Sequence, residues 1–169
     1  GYQLRIADDD GADVPVGEQG RLLLKGPSVT ENYWNNPEKT AKNIVDGWLD
    51  SGDTYYRDED NYFYYSGRND DMLKVGGIWV SPFEIESALI EHPKVLEAAV
   101  VGRDDDAGLV KPEAWVVLKD NSEQSTALAD EIQVQCKNNL APYKYPRWIN
   151  FTDDLPKTAT GKIQRFKLR

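Results

Sequence analysis

At GRNDD, residues 67–71, the chain changes character, and this change limits what it can fold into. Before it the signals are mostly those of strands. YQLRIA and RLLLKG read as two strands joined by the turn-rich link ADDDGADVPVGEQG. A short helix is expected over Pro37–Val45, because proline is well suited to the first helical position. GWLDSGD reads as a tight polar turn, and NYFYYSG as an aromatic strand. Trp34, Trp48 and the aromatic run 62–65 are expected to form the core of this part.

After GRNDD the signals alternate. MLKV and IWVS flank Gly76-Gly77 and predict a hairpin. Ser81, Pro82 and Glu84 mark a helix start of the capping-box kind, and Pro93 marks its end. VLEAAVVG and EAWVVLK read as strands, Thr126–Asn139 as an amphipathic helix, and PRWINF as a last strand. Cys136, at helical spacing with Ile132 and Leu140, is placed in the core. The order β-β-α-β-β-α-β predicts a compact α+β domain.

Charge excludes several functions. The net charge of −9 disfavours nucleic acid unless a basic face is concentrated somewhere. The one basic cluster is the tail, Lys162, Arg165, Lys167 and Arg169, which suits a small anion better than a duplex. A single cysteine permits no intrachain disulfide, and with a single histidine it permits no conventional zinc cluster. His92, at a helix end, is expected at the surface. No apolar run approaches the roughly 20 residues that cross a bilayer. A reducing, cytoplasmic setting fits. The chain starts strand-like at Gly1 without an initiator methionine and reads as a piece of a longer protein.

In the tail, LPKTATGKIQR places Lys162 after a glycine. The phosphate-binding loop needs a glycine five residues before the Gly-Lys pair and Ser or Thr after it. Here Pro156, which has no N–H to donate, and Ile163 occupy those places. Taken alone, the stretch reads as a solvated terminal loop.

Five motifs together change that reading. GRLLLKGPSVTENYW, GWLDSGD, GRNDDMLKVGG, SPFEIESAL and PKTATGKIQR follow one another in this order. The whole chain thereby resembles the carboxyl-terminal part of the adenylate-forming enzymes, the superfamily of acyl- and aryl-CoA synthetases, peptide-synthetase adenylation domains and luciferases. KVGGIWVSPFEIE, APYKYPRWI and DDLPKTATGKIQRFKLR most resemble benzoate–CoA ligases.

The resemblance implies that residues 1–69 are the β-rich end of the large AMP-binding domain and that residues 70–169 are a mobile lid. It implies a two-step reaction. A carboxylate attacks the α-phosphate of Mg-ATP to give an acyl-adenylate, and the CoA thiol then displaces AMP. Lys162 matches the catalytic lysine. Asp53 matches the aspartate that accepts from both ribose hydroxyls, and Arg68 an arginine on the ribose and phosphate side; the competing reading of Arg68, from its neighbours alone, is an ion pair with Asp70 or Asp71, and both can hold. Asp70 aligns with the hinge, and Gly76 and Gly77 with the loop lining the pantetheine tunnel. Tyr143, Lys144 and Arg147 lie where the nucleotide end of CoA rests. Tyr145 replaces a basic residue there, with Lys144 as a substitute. The phosphate loop, the acyl pocket and any Mg2+ ligands are expected in a preceding domain, so the fragment alone is expected to be inactive. The expected partners are ATP, CoA, an aromatic carboxylate and that missing amino-terminal domain. Loading of a carrier protein, a fatty or other acyl-CoA synthetase, and a non-catalytic binding module at 71–169 are the competing readings.

Overall fold

The computed structural model describes residues 1–169, which form two compact units, Gly1–Asp70 and Asp71–Arg169. The first contains strands Gln3–Ala7 (β1) and Gly20–Lys25 (β2), helix Pro37–Asn43 (α1), and strands Ile44–Val45 (β3), Trp48–Arg57 (β4) and Phe63–Arg68 (β5). All pairings are antiparallel, in the order β1-β2-β4-β3, with β5 also paired to β4.

Within GWLDSGD, all but Gly47 is strand, not turn. Asp46 and Gly47, with φ of 52° and 77°, reverse the chain first, so Val45 pairs with Trp48 across a two-residue hairpin. Beyond that point β4 has β2 along one edge and β5 along the other. The expected aromatic core is also corrected. Ile6, Ala7 and Leu22 are the buried apolar residues of this unit, while Trp34 is 94% exposed and Tyr62, Tyr64 and Tyr65 are exposed. The tyrosines instead pair across the sheet surface. Tyr56 stacks on Tyr64 at 4.9 Å and Tyr55 meets Tyr65 edge-on at 5.5 Å.

The second unit follows the expected order: Leu73–Val75 (β6), Ile78–Val80 (β7), helix Pro82–Ile90 (α2), Val95–Asp104 (β8), Val110–Leu118 (β9), helix Thr126–Asn139 (α3) and Trp148–Phe151 (β10). The Ser81 side chain caps α2 by accepting from the Glu84 N–H, and Ser125 caps α3 in the same way from Leu128. The central strand β9 pairs antiparallel with β8 and parallel with β10.

This sheet is buried on both faces. Ile85 and Leu89 of α2 and Leu128, Ile132 and Cys136 of α3 pack with Val100, Ala114 and Val116. On the opposite face, Ala99 and Val117 meet Leu155, with Ile163 and Leu168 of the tail packed alongside. Strand side chains alternate between faces, so the helices take one set and the tail the other. His92 is buried at 2%, not at the surface. The chain turns inward after α2, Nδ1 accepts from the Lys94 N–H at 3.3 Å, and Nε2 lies 3.4 Å from Glu131. No helix is long and apolar enough to cross a membrane.

Ile132 is fully buried, whereas Val134 on the same helix is 54% exposed. Ile132→Ala is expected to lower the unfolding free energy by about 2–5 kcal/mol, and Val134→Ala by less than about 0.5 kcal/mol, both read by denaturant titration. Burial, with Glu91 adding to it, pushes the Cys136 thiol from 9.0 up to about 11. The unfolded chain therefore releases this proton first, and the thiol's contribution to stability, complete below about pH 9, is lost as pH rises through about 11. Cys136→Ala should flatten the fall in stability over that window.

Candidate functional site

In the first unit, the register of β4 and β5 sets Asp53 opposite Arg68. Arg68 Nη1 donates to Asp53 Oδ1 at 2.8 Å and reaches the Ser51 carbonyl at 3.4 Å. This corrects the expected pairing with Asp70 or Asp71: cross-strand register decides the partner, not nearness in sequence. Arg68 is about half exposed, and such pairs contribute little to stability, so it is free to exchange partners at small cost.

A polar network fixes the residues next to this pair in the chain. Asp50 Oδ1 accepts the Gly52 N–H at 2.8 Å, and Asp50 Oδ2 pairs with Arg21 at 3.0 Å. Asn69 links Thr54 to Asp50 through bonds of 2.7 and 3.4 Å. Gly52 is required twice. Its φ is +75°, and a Cβ there would lie 2.8 Å from Arg68 Nη2. Asp70 ends the first unit, within the short 3-10 turn Asn69–Asp71.

Gly76 and Gly77 sit at the tip of the β6–β7 hairpin with φ of 57° and 86°. A Cβ at either would meet nothing within 4 Å, so turn geometry accounts for both glycines. The residues in 143–147 are engaged with the fold. Lys144 Nζ lies 2.7 and 2.8 Å from the two Glu84 carboxylate oxygens, so the expected substitute cation is already neutralised. The Arg147 guanidinium stacks 4.0 Å over Tyr145, and Tyr143 and Tyr145 pack against the core.

In the second unit, Lys162 closes a small loop. Lys157 and Ile163 form a bridge, the Thr158 N–H donates to the Lys162 carbonyl at 2.8 Å, and the Lys162 N–H donates to Thr158 Oγ1 at 3.1 Å. Gly161 makes the reversal with φ +82°. The Lys162 side chain is exposed and takes part in no ion pair. The tail is not a four-cation cluster as expected. Arg165 binds Glu86 and Asp71, and Arg169 reaches Asp71 at 3.4 Å. Lys162 and Arg165 therefore have opposite surroundings although only two residues separate them.

Asp53 and Arg68 thus stand together on one unit, and an unpaired lysine stands on a braced loop of the other. Residues 84–162 match the family described as AMP-binding enzyme C-terminal domain. The chain carries an AMP-binding enzyme C-terminal domain. It is 58% identical over its whole length to the benzoate–CoA ligase of Thauera aromatica, of which it covers 32%. It is 50% identical to the 4-hydroxybenzoate–CoA/benzoate–CoA ligase of Rhodopseudomonas palustris, again over its whole length and 32% of that protein. Among solved structures, an anthranilate CoA ligase in complex with anthranoyl-AMP superposes with a TM-score of 0.93 at 52% identity, covering all of this chain and 33% of that one. A benzoate CoA ligase from Burkholderia xenovorans gives 0.89 at 53%, covering all of this chain and 34% of that one. The chain spans about a third of the length of the curated relatives it matches.

The match to the AMP-binding enzyme C-terminal domain runs from Glu84 to Lys162. Sequence reasoning missed a pair near its two ends: Glu86, just inside the first, is buried at 6% in α2, and Arg165, just beyond the second, binds it. The available signal was a second carboxylate among Ile85, Ala88 and Leu89 on a helix with an apolar face. Within the lysine loop, Gly161→Ala should cost about 1–2 kcal/mol of local stability through backbone strain alone, since its Cβ would meet nothing within 4 Å. Hydrogen exchange of the Thr158 and Lys162 amides should then quicken about tenfold or more.

Proposed function

We propose that this chain is the carboxyl-terminal part of an AMP-forming acid–CoA ligase whose acid is benzoate or a related aromatic carboxylate. The observation that carries the reading is the 58% identity, over every part of the chain, to a benzoate–CoA ligase. Residues 1–69 belong to the large nucleotide-binding domain, and residues 70–169 form a lid that turns about Asp70.

In the first half-reaction the acid's carboxylate attacks the α-phosphate of ATP, the bond to pyrophosphate breaks, and acyl-adenylate forms. Two anions must approach each other. A cation at ~4 Å is worth about 1 kcal/mol in bulk water but about 4 kcal/mol near a protein surface. Lys162, unpaired on its loop, is suited to that task. Asp53 accepts from the ribose hydroxyls, and Arg68, loosely held, serves the phosphate side. In the second half-reaction the CoA sulfur attacks the acyl carbonyl and AMP leaves. The open tip at Gly76 and Gly77 then leaves room for the thin pantetheine arm. On this reading Tyr143 and Arg147 meet the CoA nucleotide, and Lys144 acts there by orienting Glu84 rather than as a free cation. Mg2+, the phosphate loop and the acyl pocket belong to the preceding domain.

The test uses the full-length enzyme with ATP, benzoate, and either CoA or an acyl carrier protein. Benzoyl-CoA is expected; thioester on the carrier alone would reject the reading. Lys162→Ala should slow pyrophosphate release by roughly 100-fold or more. It should leave thioester formation from supplied benzoyl-adenylate within about threefold. Equal losses in both half-reactions would count against a step-specific lysine. Asp70→Pro, which fixes φ near −65°, should impair at least one half-reaction.

A further inference from the structure

We propose that Arg165 is the positioning residue for Lys162, locking the lysine loop to α2 and to the first residue beyond Asp70. The inference rests on the role of Lys162 proposed above.

An exposed lysine on a terminal loop needs something to set its place. The loop's own hydrogen bonds shape it, and Ile163 packs against the sheet. Neither fixes where the loop lies relative to the start of the unit. Arg165 does. Its Nη2 lies 2.9 Å from both Glu86 oxygens, its Nε is 3.2 Å from Glu86 Oε1, and its Nη1 is 3.2 Å from Asp71 Oδ2. Glu86 is itself pinned, because Oε1 accepts the Val100 N–H at 2.8 Å. One guanidinium thus ties the tail to α2, to β8 through Glu86, and to Asp71. Arg169 adds a second contact to Asp71.

The Glu86 side chain is 8% exposed and that of Arg165 is 19%. A buried pair of this kind is a poor source of net stability but a strong source of geometry, because the fork admits few arrangements. Lysine keeps the charge but lacks the fork. With Arg165 in place, a rotation about Asp70 carries the lysine loop as part of the turning body.

The experiment compares Arg165→Lys, Glu86→Gln and Lys162→Ala in the full-length enzyme with benzoate. For Arg165→Lys and Glu86→Gln the expected result is a fall in kcat for pyrophosphate release of roughly 10- to 100-fold, the scale of a misplacement near 1 Å. KM for ATP and benzoate should stay within about threefold, thioester formation from supplied benzoyl-adenylate should be retained, and amide exchange at Thr158 and Lys162 should be faster. Equal loss in both half-reactions, or unchanged adenylation and exchange, overturns the positioning role. If Arg165→Lys fails to fold, Glu86→Gln, which keeps side-chain volume, decides on the same readouts. If Lys162→Ala impairs adenylation while both other variants do not, the positioning inference alone falls. If Lys162→Ala has no effect, the role of the lysine falls and the inference with it.

Discussion

The second unit depends on one constraint: its central sheet is apolar on both faces and so needs two covers. Along β9, Ala114, Val116 and Leu118 face the helices, while Val117 and the half-buried Trp115 face the tail. With side chains alternating every residue, neither cover can be omitted without leaving a face in water. Helices α2 and α3 supply the first. The segment carrying Leu155, Ile163 and Leu168 supplies the second, and Lys162 is the neighbour of one of those anchors, Ile163. The loop that carries the candidate catalytic cation is thus held against the sheet by a hydrophobic requirement.

Polar groups then refine what apolar packing sets. In both units a carboxylate near the functional group takes a backbone N–H and an arginine. Asp50 does so near Asp53, with Gly52 and Arg21. Glu86 does so near Lys162, with Val100 and Arg165. A carboxylate with two oxygens accepts several donors at once, and this suits it to joining elements that the chain itself does not join.

Much of the element order was legible. The helix at Thr126–Asn139 and the hairpin around Gly76-Gly77 follow from periodicity and turn chemistry, and both are found. The turn before β4 was displaced because SGD carries turn residues, while the reversal had already been made at Asp46-Gly47. The aromatics of the first unit were assigned to a core on composition. They lie on the sheet surface in cross-strand pairs, and composition does not state which side of a strand has a second layer. His92 was assigned by its place at a helix end, yet the chain beyond α2 folds it inward.

By itself, the sequence determined where elements begin and end, through proline, serine caps, glycines and apolar spacing, and which motif residues are candidates for chemistry. All of these are local properties of the chain. Only the tertiary structure decided which opposite charge each cation meets. Arg68 finds Asp53 15 residues away, and Arg165 finds Glu86 79 residues away, while Lys162 stays unpaired. An ion pair is set by distance in space and by burial, and neither is written in the spacing of residues along the chain.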